Sequence, residues 1–204
     1  RAALSKDEKA RLRNDGLHGK TGSDPVKQFI QNVHHFRDEA LKSIAPPADH
    51  VVVFDEAQRA WNQSMTADFM KRKKGVPDFR DSEPQFLIRY VDRHKDWAVI
   101  LCLVGGGQEI NRGESGIGAW IEAVKTSFPH WHMVISSRLT DSEYAATPII
   151  ESAQEAPGVH FDDALHLSVS MRSFRAEHVS AFVKALLDCD RGNARLTLSK
   201  LRRY

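Results

Sequence analysis

The 204-residue chain is 41% hydrophobic and 27% charged, enough apolar material for one ordinary domain, or one domain with a helical extension, and too much for a disordered chain. Its formal net charge of +2, with 10 histidines besides, is too small to demand a nucleic-acid partner. The two distant cysteines, Cys102 and Cys189, form neither a disulfide framework nor a metal spacing and suit a reducing cytoplasm; no apolar run approaches the roughly 18 residues of a membrane span, and no signal peptide is visible.

Residues 1–24 are rich in Lys, Arg and Gly and read as a polar lead-in; the start at Arg1 rather than Met points to a piece of a longer chain. Apolar residues recur near helical spacing from Val26 to Ile44, with Asp24 and Pro25 as a helix start and Pro46-Pro47 as its end. Val51-Val52-Val53-Phe54 is short, β-branched and continuously apolar, the pattern of a strand buried on both faces. A helical stretch is expected to follow through Phe69, and the basic run Lys71–Lys74 with Pro77 marks a loop. Glu83 to His94 reads as an amphipathic helix, and Trp97 to Val104 as a second buried strand stopped by Gly105-Gly106-Gly107. Gly118 to Phe128 reads as a helix and His132 to Ile135 as a third strand. Residues 138–160 are mixed, with helix signals around Thr140–Ala146, and His166-Leu167-Ser168-Val169 reads as a fourth strand. Ala176 to Leu187 is a strong amphipathic helix, and a short helix from Ala194 to Leu201 closes the chain. Strands alternating with helices predict an α/β fold, a parallel sheet covered by helices.

The sharpest chemical signal is Val53-Phe54-Asp55-Glu56-Ala57-Gln58-Arg59, an apolar strand ending in two acids, which is the Walker B arrangement. Ligands of open α/β sheets gather at the carboxyl ends of strands. An Asp there can hold magnesium, usually through its water shell, and the adjacent Glu can polarise an attacking water as general base. The bland alternative is a strand that gives way to surface acids. The longer string Asp-Glu-Ala-Gln is more restrictive and resembles the Asp-Glu-Ala-His-type boxes of helicases. A second signal, Leu103-Val104-Gly105-Gly106-Gly107-Gln108-Glu109, is weak alone and gains value by following the acidic box by one strand. A third, Leu167 to Arg175, carries Arg172 and Arg175. A planar, permanently charged guanidinium suits phosphate oxygens; an ordinary exposed arginine is the other reading.

Together these segments resemble the Schlafen-group DNA/RNA helicase domain, a bacterial branch of superfamily 1, over most of the chain from about Val26 to Leu187. The phrases Asp55–Trp61 and Val104–Glu114 are the most specific. The resemblance implies a RecA-like P-loop NTPase fold, ATP and Mg2+ as cofactors, and DNA or RNA as partner. It implies Asp55 as the magnesium ligand, Glu56 as the residue that activates water, and Gly105, Gly106 and Gly107 at the nucleotide. Gln108 would sense the γ-phosphate, and Arg172, with Arg175 as the next choice, would stabilise transferred charge. The family pattern often has an Asp where this chain has Gly106.

An ATPase of this class also needs a Walker A loop, whose amides and Lys cradle the phosphates. Gly19-Lys20-Thr21 reads as a chance match, because Asn14 stands where the first glycine belongs and Pro25 interrupts the helix that should follow. The phosphate loop is therefore expected upstream of Arg1. Residues 25–190 are expected to be a partial RecA-like core, between the 1–24 lead-in and a 191–204 helical extension, that alone binds ATP weakly or not at all. The rival reading is a non-catalytic P-loop-derived module that binds nucleic acid or protein. A nuclease-type metal site at Asp55–Glu56 lacks the further acid and Lys it would need. Trp61, Trp120 and Trp131 read as packing residues, and His34-His35, His130 and His132 as structural histidines. Lys71–Lys74 reads as a solvated face, or else as a contact to a nucleic-acid backbone.

Overall fold

A computed structural model gives the arrangement of residues 30–105, 114–140, 147–154, 156–167 and 176–201. The expected helix start at Asp24-Pro25 and the Gly19–Thr21 match lie outside the described residues. The first described helix, α1, spans Val33–Lys42. Its start is fixed by Asn32, whose side chain accepts the His34 N–H at 3.0 Å and so satisfies one of the free amides of the first turn.

Strand β1, Val51–Phe54, pairs in parallel with β2, Val99–Cys102, with Val51 opposite Val99 and Phe54 opposite Cys102. The connection between them is helical. A 3-10 turn at Ala57–Arg59 leads to α2, Gln63–Phe69, whose cap Asn62 accepts the Met65 N–H at 2.9 Å. The expected loop at Lys71–Lys74 is instead a π-helical continuation, Met70–Lys74. Two of its four basic side chains are taken up locally, Arg72 by Asp68 and Lys74 by Asp38 at 2.6 Å, and Gly75 closes it in the left-handed region at φ 70°. Helix α3, Glu83–Val91, opens on a capping box in which Ser82 and Gln85 bond each other's backbone amides.

Helices α1 and α3 pack on one face of the β1–β2 pair, joined there by α4, Gly118–Ser127. Phe36, Phe54, Leu87, Tyr90, Val91 and Trp120 form the heart of this core, with Val52, Ile100 and Cys102 against it. Side chains alternate across a strand, so Val51, Val53, Val99 and Leu101 belong to the opposite face. These remain exposed, Val53 at 54% and Leu101 at 46%. The expectation of strands buried on both faces is thus corrected: an all-apolar run records what a strand tolerates on each side, not which neighbours are present.

Strands β3, Met133–Ile135, and β4, Val159–Phe161, make a second two-stranded sheet, and α5 spans Thr147–Gln154. The fourth strand was expected at His166–Val169. His166 and Leu167 lie in no strand, and Ser168 and Val169 lie outside the described residues. The chain leaves β4 at Asp162, whose carboxylate accepts the Ala164 N–H at 2.8 Å and turns the backbone into a 3-10 segment, Asp163–Leu165.

The chain divides into two compact units, Arg1–Val134 with Leu139–His160, and Ile135–Arg138 with Phe161–Tyr204. In the second, α6, Ala176–Leu187, packs against α7, Arg191–Leu201. Helix α7 begins before the expected Ala194 because the Asp190 carboxylate accepts the Asn193 N–H at 3.0 Å. No helix of the described residues is long and apolar enough to cross a membrane.

A buried ion pair ties the first unit together. Arg37 of α1 donates from Nη1 to Glu83 Oε1 of α3 at 2.7 Å, with both side chains almost fully buried. The other Glu83 oxygen accepts the Trp61 N–H at 2.8 Å. The guanidinium lies over the rings of Trp61 and Phe69, 4.6 and 4.7 Å from their centres. Burial pulls the Arg37 pKa below the usual arginine value, against the field of Glu83 and Asp38.

Two outcomes follow for stability and reactivity. Arg37→Met, which strands Glu83 in the core, is expected to cost about 3–5 kcal/mol in urea unfolding. Adding Glu83→Gln should recover part of that loss, so the two changes should not add. Burial pushes the Cys102 thiol up to about 12, so at pH 8 it stays protonated and inert in the folded chain. A thiol alkylating reagent should therefore modify Cys189, which is exposed, well before Cys102, as read by mass spectrometry of the intact protein.

Candidate functional site

The acid pair stands at the carboxyl end of β1. The β1–β2 ladder continues on both sides of it: Leu103 N–H donates to Phe54 O at 2.9 Å, and Ala57 N–H donates to Leu103 O at 2.9 Å. Asp55 and Glu56 occupy the turn between these two bonds, and both are exposed. Glu56 takes the left-handed conformation, φ 56° and ψ 42°. That region costs a side-chain-bearing residue roughly 1–2 kcal/mol, so the surrounding bonds must hold it. Glu56 N–H donates to Asp55 Oδ1 at 3.1 Å, and Arg59 N–H donates to Glu56 O at 2.9 Å. The strand end therefore presents two adjacent carboxylates on a fixed turn.

Gln58 connects this turn to the next strand's exit. It is fully buried. Its Nε2 donates to Glu56 Oε2 at 3.1 Å, and its Oε1 accepts the Gly105 N–H at 3.2 Å. One carboxamide thus spans the candidate base and the first residue of the glycine turn. A Cβ at Gly105 would meet Gln58 Nε2 at 3.5 Å, an ordinary contact, so this glycine is not required for room.

The segment after the acids is braced by the chain that returns beyond the glycine turn. Trp120 Nε1 donates to Ala57 O at 2.8 Å. Arg59 pairs with Glu114 at 3.2 Å, Trp61 bridges Glu114, and Ser115 donates from both N and Oγ to Ala60 O at 2.9 Å. Residues 57–61 therefore cannot move without residues 114–120.

Of the residues singled out by sequence, Asp55, Glu56 and Gly105 are brought together. Gly106, Gly107, Gln108, Arg172 and Arg175 lie outside the described residues. The tryptophans pack as expected: Trp120 in the core, Trp61 under Arg37, and Trp131 half-buried with Nε1 donating to Asp92 at 2.7 Å. His130 also meets Asp92, at 2.7 Å. Gln58 was given no separate role by sequence reasoning, and Glu114, read as a loop residue either solvated or near the phosphate end, instead has a buried side chain paired with Arg59. The signal for Gln58 was its place in Asp-Glu-Ala-Gln, three residues beyond Asp55, which a 3-10 turn folds back towards the acids.

The family model for the Schlafen group 3, DNA/RNA helicase domain matches residues 2–203. The chain belongs to this family. No curated protein and no solved structure matches it. In this Schlafen group 3 domain, Gln58 joins the acid turn to Gly105. Gln58→Leu is expected to lower stability by about 1–3 kcal/mol in denaturant unfolding, because it removes the acceptor of the half-buried Gly105 amide and the donor to Glu56. Gln58→Glu should cost more at neutral pH, since it sets a second carboxylate against Glu56.

Proposed function

We propose that this domain supplies the acidic half of a RecA-like P-loop ATPase site in a helicase-like protein that acts on DNA or RNA. The observation that supports this reading is a pair of acids at the carboxyl end of a parallel strand, tied through Gln58 to Gly105, just beyond the neighbouring strand. Asp55 and Glu56 offer only carboxylate oxygens, the hard donors that magnesium prefers. Asp55 would hold the ion through its exposed carboxylate, and bound magnesium would offset charge on the β- and γ-phosphate oxygens.

Glu56 would accept the proton of the attacking water. Its carboxylate is already steadied by Gln58, so it reaches that role with less orientational freedom to lose. Gly105–Gly107 would pass close to the nucleotide, and Gln108, following that turn, would report the γ-phosphate to the nucleic-acid side. Arg172, or Arg175, would stabilise the charge that develops on the transferred phosphoryl group. The tie from Glu56 through Gln58 to Gly105 would offer a route by which occupancy at the acids reaches the segment that leads to Gln108.

The test is ATP hydrolysis by the protein as the cell makes it, with and without single-stranded DNA or RNA. Glu56→Gln is expected to lower kcat about 10²–10⁴-fold while keeping the thermal stabilisation by Mg-ATP. Asp55→Asn should remove that stabilisation, which is roughly 2.7 kcal/mol at a hundredfold excess over Kd. Nucleic-acid binding with no nucleotide stabilisation and no hydrolysis would instead identify a non-catalytic binding module.

A further inference from the structure

The opposite, amino-terminal end of the β1–β2 pair carries a second cluster of ligand-type side chains. His50 directly precedes β1, and its carbonyl accepts the Val99 N–H at 2.8 Å, the bond that opens the ladder. His94 and Asp96 lie in the connection from α3 to β2, and His94 is anchored by its N–H to Val91 O at 3.2 Å. The three side chains can each offer one ligand atom such that all three atoms lie within 4.8 Å of one another. His50 and His94 lie with ring centres 3.9 Å apart, and Trp97 stacks on His50 at 4.5 Å.

Two details point to a ligand rather than to packing alone. His94 Nε2 is buried and has no hydrogen-bond partner among the described residues. A buried ring nitrogen without a partner forfeits its hydration for nothing, unless something else binds it. His50 Nδ1 sits 2.7 Å from the Trp97 carbonyl. A carbonyl only accepts, so Nδ1 carries the proton and Nε2 is left with its lone pair free. That outer hydrogen bond is the usual means of fixing the tautomer of a metal-ligating histidine. Asp96 completes the set with an exposed carboxylate, whose Oδ1 lies 3.8 Å from His50 Nδ1 and so on the proton-bearing side of that ring.

We propose that His50, His94 and Asp96 form a zinc site, with two imidazole nitrogens and one carboxylate oxygen from the protein and the fourth position open to water. Three protein ligands of this type suit Zn2+, whose bonds of about 2.0–2.2 Å put neighbouring ligand atoms roughly 3.3–3.5 Å apart in a tetrahedron. The cluster would reach that by a rotation of the His94 ring out of the stack and a swing of the exposed Asp96 carboxylate from the Nδ1 side of His50 towards Nε2. Magnesium is a poor rival here, because it favours oxygen donors. Bound zinc would clip the α3–β2 connection to the start of β1. The site lies about 16 Å from the acid turn, five residues along an extended strand. Its occupancy is therefore separable from any nucleotide chemistry at Asp55.

The test is titration of the chelator-stripped chain with ZnCl2 by calorimetry, with thermal unfolding and the visible absorption of a Co2+ form as parallel readouts. One saturable equivalent is expected, with a raised unfolding temperature and the intense absorption of low-coordinate cobalt. Excess Mg2+ should not displace it, and Asp55→Asn should leave the affinity unchanged. Asp96→Asn and His94→Gln should each weaken binding by at least the roughly 10–100-fold that loss of even an outer partner costs. Asp96 is exposed, so its variant tests the site even if His94→Gln fails to fold. Absence of saturable binding, or affinity unaltered by Asp96→Asn in a folded protein, would overturn the proposal, the latter by assigning the metal to others among the 10 histidines.

Discussion

The first unit depends on the burial of one full charge, the guanidinium of Arg37. Removing an arginine from water is tolerable only where its partners are fixed in advance, and here they come from three places in the chain. Glu83 supplies the countercharge from the first turn of α3, and Trp61 and Phe69 supply ring faces from either end of α2. Glu83 in turn accepts the Trp61 amide, and its own N–H donates to the Trp61 carbonyl at 3.0 Å. Because a misplaced partner would leave a bare charge in the core, this geometry selects one relative placement of α1, α2 and α3.

The same junction carries the candidate site. Trp61 ends the short segment that begins at the acids, so fixing Trp61 fixes how the chain leaves Glu56. From the other direction the segment is held by Trp120, Glu114 and Ser115. Glu56 can thus remain in a backbone region that an isolated peptide would avoid. Strain of this kind persists only where its surroundings over-determine it, and it gathers at functional turns.

Sequence made the acid pair and the strands around it legible, for a specific reason. Val51–Phe54 and Trp97–Val104 are uninterrupted apolar runs stopped by acids and by glycines, and both the period and the punctuation are local. The amphipathic helix Ala176–Leu187 was legible by the same local means and has the expected bounds. What sequence could not show depends on distant partners or on competition between neighbouring signals. Asn32 outcompetes nothing in its own sequence, yet it is the side chain that caps α1. Lys71–Lys74 looks like a loop until Asp38 and Asp68 are seen to neutralise part of it. Gln58 spans 47 positions to reach Gly105, and His50 a similar distance to meet His94, so neither pairing leaves a trace in spacing.

The bare face of the β1–β2 pair has a practical consequence for anyone handling the protein. Val51–Phe54 and Val99–Val104 are short, uncharged, proline-free windows of high β-propensity, and they lie side by side in the folded chain with Val51, Val53, Val99 and Leu101 in contact with water. Such an exposed apolar face favours association between copies, which would then limit working concentration. A polar residue at Val53 or Val99 would raise that limit at little cost to the core, because neither side chain contributes to it.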